Sequence, residues 1–308
     1  MKIFLFHRVH PDSDPLWPAI PPERFRAHVR LIKQSFQVIQ LEDHLLSGGA
    51  NRSGRRTAAI VFDDGYRDFV DYALPILVEE GLGASMYVVT SCADSGAPIW
   101  TYRFDHALLH TRRTRVDIDR NLLPASVNTE WTDSAQRLDF VRAVKPVLKQ
   151  LDHAVREMAL AQIFSSLDDV PSPDGMMMGW DDLRQIAGEG VEIGSHTVTH
   201  PLLATIADEA GIQDEMTDSF QRIEAEMGTA PRAIAYPNGS HDARVRRAAA
   251  KAGYRLGLAV EHRPYRHGID DLYAVPRIEL YDEPGWKTRA RAAGLIEWAK
   301  RVRNIVRV

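Results

Sequence analysis

Ile60-Val61-Phe62-Asp63-Asp64-Gly65-Tyr66 decides how this chain reads. With Thr57-Ala58-Ala59 before it, the segment opens as a continuous apolar run, the pattern of a strand covered on both faces. The run stops abruptly at two carboxylates and a glycine. Adjacent carboxylates at the end of a buried strand raise one another's pKa, so placing them together is costly. Asp-Asp-Gly is also a good turn sequence, and alone the segment supports a turn as well as a site.

On either side of it, strand-like runs cover residues 2–9, 36–41, 57–62, 84–90, 191–194, 233–236, 254–260 and 273–278, and helical patterns cover 22–35, 69–80, 181–189, 208–227 and 241–252. Strands interleaved with helices, several continuously apolar, indicate an α/β fold with a mainly parallel sheet. Gly81, Gly190, Gly228 and Gly253 fall just past helix ends, where a left-handed cap is wanted. Residues 95–179 break the alternation. They read as a mostly helical insertion, with one long helical pattern from Asp133 to about Phe164 and a loop at Pro171-Ser172-Pro173-Asp174-Gly175. The whole chain, 1–308, is expected to form one domain.

A net charge of −4 argues against a general nucleic-acid binder. The single cysteine, Cys92, excludes an internal disulfide. The apolar run at Ile3–Phe6 is too short for a signal-peptide core, and no run of 18 apolar residues occurs. The default expectation is a soluble cytoplasmic protein. Residues 286–308 hold seven basic residues against the single acid Glu297, with Leu295, Ala299, Val302 and Val306 at helical spacing. Such a basic amphipathic helix can lie on an anionic membrane or pack on the rest of the protein.

Two more clusters end strands. In Glu192-Ile193-Gly194-Ser195-His196-Thr197-Val198-Thr199-His200, two histidines four apart share a face if the segment is helical, a spacing used by metal-binding pairs, and a pair of loop histidines bonded to nearby backbone is the alternative. Two imidazoles and a carboxylate suit a divalent metal, zinc first, with nickel, cobalt, iron or manganese as alternatives. Ala233-Ile234-Ala235-Tyr236-Pro237-Asn238-Gly239 forms a corner that can aim backbone N–H groups at a cavity.

These clusters, in this order, resemble the polysaccharide deacetylase family, the carbohydrate esterases that share a NodB-type domain. The family's Thr/Ser-Phe-Asp-Asp-Gly appears as Val61-Phe62-Asp63-Asp64-Gly65, and its His-Ser/Thr-x-x-His as His196-Thr197-Val198-Thr199-His200. The resemblance covers about residues 1–90 and 179–280. It implies a distorted (β/α) barrel, a metal on Asp64, His196 and His200, Asp63 as general base, and the Tyr236 N–H as an oxyanion donor. The implied reaction is hydrolysis of the acetamide of an N-acetylated sugar. Leu5, Pro237, Asn238 and Trp180 are placed around that sugar, with core packing as the alternative for Trp180.

Two departures stand out. The family's Arg-x-Pro-Tyr-Gly reads Ala235-Tyr236-Pro237-Asn238-Gly239, so the arginine that steadies the base is missing, and Arg277 is the expected substitute. The Leu-x-His that supplies the general acid near the family's C-terminus occurs instead as Leu5-Phe6-His7. A closed strand order puts the first strand beside the last, which makes His7 the candidate acid. This arrangement resembles the subgroup acting on poly-N-acetylglucosamine. The rival readings are the same metal site working on a non-sugar amide or imide, and a catalytically silent glycan-binding relative.

Overall fold

A computed structural model of the chain describes residues 1–12, 16, 18–49 and 54–296. All eight expected strands form: β1 Lys2–Phe6, β2 Gln37–Val38, β3 Thr57–Phe62, β4 Ser85–Val88, β5 Glu192–Ser195, β6 Ala233–Ala235, β7 Leu256–Val260 and β8 Val275–Glu279. Every pairing between them is parallel. The order β1-β8-β7-β6-β5-β4-β3 closes through β1–β3, giving a seven-strand barrel, and β2 adds to the outside along the start of β3. Alternate strand residues divide accordingly. Leu5, Val61, Tyr87, Ala235 and Leu258 fill the interior, while Phe4, Phe6, Ile60, Phe62 and Val88 pack outward under helices.

Around the barrel run α1 Pro22–Ser35, α2 Leu41–Leu46, α3 Leu74–Glu80, α4 Thr90–Ser95, α5 Trp100–His110, α6 Ser134–Gln150, α7 His153–Ser166, α8 Trp180–Gly188, α9 Glu209–Met227, α10 Ala243–Ala252 and α11 Gly285–Ala293. Pro22 at its first turn starts α1, and Phe25, Val29 and Ile32 recur on its buried face. Phe25 meets Phe6 and Phe62 edge-on, with ring centroids 5.1 and 5.7 Å away. The pattern at 69–80 begins as a widened π turn, Phe69–Ala73, before α3. Pro75 has no N–H to give the carbonyl four residues back, and its ring crowds that carbonyl. Gly81, Gly228 and Gly253 end their helices left-handed, as expected.

The insertion is helical, but its long pattern is two helices, α6 and α7. Asp152 starts the second by accepting from the Ala154 N–H (3.0 Å). Trp100, Phe104, Phe140, Val144, Leu160 and Ile163 give the insertion a core of its own.

The basic C-terminal helix is also interrupted. α11 stops at Gly294 (φ 82°), with Arg291 buried against Glu283 through two 2.9 Å bonds and Thr288 bonded to His28 of α1 (3.1 Å). The first turns thus pack on the protein, and residues 297–308, with most of the apolar stripe, lie outside the described residues. Among the described residues no helix is long and apolar enough to cross a membrane.

The strand-start end of the barrel is closed by a charge cluster around the buried Glu42. Arg232 donates to Glu42 (3.1 Å), Glu192 (3.3 Å) and Asp43 (2.5 Å), and Ser85 donates to Glu192 (2.7 Å). Burial, then the nearby Glu192 charge, push Glu42 up to about 8. Between its ordinary value near 4.5 and 8, Glu42 therefore keeps a proton in the fold that it loses on unfolding, so stability falls as pH rises through that window. Glu42→Gln, which still accepts from Arg232 but cannot ionise, is expected to melt a few degrees higher than wild type at pH 9 and about equally at pH 5. Thermal melts at the two pH values check this, and a larger gain at pH 5 would reverse the sign.

Candidate active site

Every chemistry-bearing segment leaves the strand-finish end of the barrel, where loops from several strands converge. The Asp63 N–H continues the β1 ladder, donating to Phe6 O (3.1 Å), and Asp64 turns the chain with φ 76°. Both carboxylates are buried, at 2% and 1% exposure, yet they are treated differently.

Asp63 is clamped. Arg277, fully buried on β8, donates from Nη1 to Asp63 Oδ1 (2.6 Å) and from Nε to Ala259 O (3.1 Å). Burial alone would raise the Asp63 pKa, but Arg277 and His196 outweigh it and hold the group below the ordinary carboxylate value. Asp64 is open. Its Oδ1 lies 3.4 Å from both His196 Nε2 and His200 Nε2, and among the described residues neither of its oxygens has a hydrogen bond.

One ligand atom from each of Asp64, His196 and His200 lies within 4.8 Å of the others. His196 Nδ1 faces Ala235 O at 2.7 Å, so that nitrogen carries the proton and Nε2 presents its lone pair. Bare carboxylate oxygens beside two imidazoles, shut away from water, call for a cation. The donor set fits a divalent metal of the zinc group.

The histidine segment is not helical. It is an irregular loop in which Thr197 (φ 73°) and His200 (φ 59°) are left-handed, a strained state for a β-branched residue. Tertiary bonds hold it. His200 N donates to Thr197 Oγ1 (3.1 Å), and Glu215 of α9 accepts from Val198 N (2.8 Å), Thr199 N (3.0 Å) and Thr199 Oγ1 (2.5 Å). Glu215 escaped the sequence reading because a polar residue on a helix carries no local mark. Glu215→Ala is expected to weaken metal binding by roughly 10–100-fold, as loss of a supporting partner does elsewhere. Titration calorimetry measures this, and unchanged affinity would mean Thr197 suffices.

His7 follows β1, whose Leu5 pairs in register with Glu279 of β8. Its Nδ1 lies 3.5 Å from Glu279 Oε1, and Tyr281 donates to Glu279 Oε2 (2.6 Å). The charge of His7 reaches both Asp63 and Asp64. Beside it, Arg8 pairs with Asp68 (2.8 Å) and lies on the rings of Tyr66 and, from the insertion, Tyr102. A closed barrel thus brings the first strand to the last, as the strand order required.

Residues 50–257 match the family model for polysaccharide deacetylase. The chain belongs to the polysaccharide deacetylase family. Bacillus subtilis (strain 168) YxkH, provisionally named a polysaccharide deacetylase, is 29% identical over 114 residues, which span 37% of this chain and 39% of YxkH. The fold is similar to that of the Streptococcus pyogenes deacetylase PplD in complex with acetate (TM-score 0.62, 16% identity, 94% of this chain and 96% of that one). It is also similar to IcaB from Ammonifex degensii (TM-score 0.59, 15% identity, 96% and 95%).

Against the family pattern, the third motif needs correction. The Tyr236 N–H donates to Leu258 O (3.0 Å) in the β6–β7 ladder, so it is not an oxyanion donor, and the Tyr236 hydroxyl is held by Tyr273 O (3.0 Å). Pro237 is buried and has no N–H. Asn238 is exposed, with φ 52°, and is the next donor along the turn. Gly239 (φ 69°) closes the turn where a Cβ would meet Val260 N at 2.6 Å. Two further placements around the substrate fail. Leu5 points into the barrel core, and Trp180 packs at the start of α8, donating to Asp94 (2.7 Å) under Arg222.

Proposed function

We propose that this chain hydrolyses the acetamide of an N-acetylated sugar, releasing acetate and a free amine. The observation that carries the reading is the unequal treatment of two adjacent buried carboxylates: Asp64 is left open to two imidazoles, while Asp63 is locked to Arg277. One is suited to hold a cation and the other to take a proton. A divalent ion on Asp64, His196 and His200, zinc by preference of the donor set, supplies Lewis acidity toward the acetamide carbonyl and water.

The chain's own residues do the rest. Asp63, kept ionised and oriented by Arg277, accepts the proton from water as it attacks the carbonyl carbon. The Asn238 N–H, on the turn after β6, takes the oxyanion-donor position that Tyr236 does not fill. His7, set by Glu279, protonates the nitrogen as the C–N bond breaks.

Acetate release from N-acetylglucosamine oligomers tests this directly. Chelation is expected to abolish release and added zinc to restore it. Release that survives complete metal removal would defeat the metal assignment. Turnover of cyclic imides with none of sugars would move the activity to a non-sugar amide.

A further inference from the structure

The insertion carries positive charge to the mouth of the site. Lys145 and Lys149 lie four residues apart on α6 and so share a face. Lys149 Nζ donates to Asn238 Oδ1 at 3.0 Å, bridging α6 to the turn after β6. It lies within the electrostatic reach of Asp64, Glu279 and His200. Lys145 is ion-paired with Asp105, which is buried on α5. Thr101, one turn before Asp105, is buried with no hydrogen-bond partner for its hydroxyl among the described residues. Asp105, Lys145, Lys149 and Asn238 therefore line up from the insertion to the turn after β6, with Thr101 one turn before Asp105.

The charges along this row do not balance. Lys149 is half-buried and has a like charge next to it in Lys145. Among the described residues its nitrogen reaches a neutral amide oxygen and no carboxylate within ion-pair distance. The nearby acids are engaged elsewhere, Glu279 with His7 and Tyr281, Asp105 with Lys145, and Asp64 with His196 and His200 in the three-ligand cluster. A half-buried ammonium without a counter-charge is costly unless an anion completes it. A simple clamp between α6 and the turn would need no charge at all.

We propose that Lys149, backed by Lys145, is an anion subsite, and that the substrate is an N-acetylated sugar bearing a phosphate or carboxylate near its acetamide. This rests on the deacetylase reading and narrows its substrate class.

The test compares neutral N-acetylglucosamine, its 1-phosphate and N-acetylmuramic acid, by calorimetry on metal-loaded Asp63→Asn protein so that no sugar is consumed. At least one charged sugar is expected to bind about tenfold or more tighter than the neutral one, as a charge-assisted contact does. Which one does so separates phosphate from carboxylate. Adding Lys149→Met should bring the charged-to-neutral ratio near one, and Lys149→Arg should keep it. Equal binding of all three sugars, or a ratio that survives Lys149→Met, overturns the subsite. So does a Lys149→Met protein that loses affinity for all three alike, which would mark a structural clamp. Wild-type acetate release keeps the two readings apart: equal release from neutral and charged sugars defeats the subsite alone, whereas binding and release absent for every sugar defeat the deacetylase reading itself.

Discussion

Asp63→Asn is expected to keep its metal and lose about 10²–10⁴-fold in turnover, whereas His200→Ala loses metal and turnover together. The difference follows from the partners. Asp63 gives Oδ1 to Arg277 and stands 3.8 Å from His196 Nε2, outside the three-ligand cluster, while His200 supplies one of that cluster's three atoms. Asparagine preserves shape and can still accept from Arg277, but it cannot take a proton and no longer carries the charge paired with that arginine. Two remaining ligands hold a divalent ion poorly. Metal content by mass spectrometry, read beside acetate release, separates the variants, and Asp63→Asn protein as empty as His200→Ala would reverse the division of roles. Arg277→Met extends the same argument to pH. Without the guanidinium, burial of Asp63 goes largely uncompensated and its pKa climbs, so the acidic limb of the pH–rate profile moves to higher pH.

His7→Ala is expected to cut turnover on an N-acetyl sugar by roughly 10²–10⁴-fold, and by much less on an activated aryl acetate. An amine departs poorly without a proton, while a nitrophenolate needs little help, so the contrast between substrates identifies a proton donor. Glu279→Gln should fall between wild type and His7→Ala on the sugar, because it loosens the 3.5 Å contact that sets the imidazole without removing it. Equal losses on amide and ester would make His7 a structural residue at the end of β1.

The parts of this protein that follow from local chemistry were legible in its sequence. Apolar runs of strand length separated by helical patterns produced all eight strands, and glycines beyond the periodic segments capped the helices. The carboxylate pair and the spaced histidines marked a candidate cation site, and the structure brings Asp64, His196 and His200 together. The contact of Arg277 with Asp63 and the position of His7 beside β8 were also expected, one from an arginine missing elsewhere in the family's motif and the other from barrel closure. Only the tertiary structure decided the rest. Whether a backbone N–H is free depends on strand pairing, and β7 takes that of Tyr236. The two histidines converge through left-handed loop residues held by Glu215 rather than through helical spacing. Glu279 and Lys149 reach the site from positions far along the chain, through the β1–β8 register and the packing of the insertion. Periodicity reports what a residue's own segment buries; which distant side chain meets it is set by closure of the barrel.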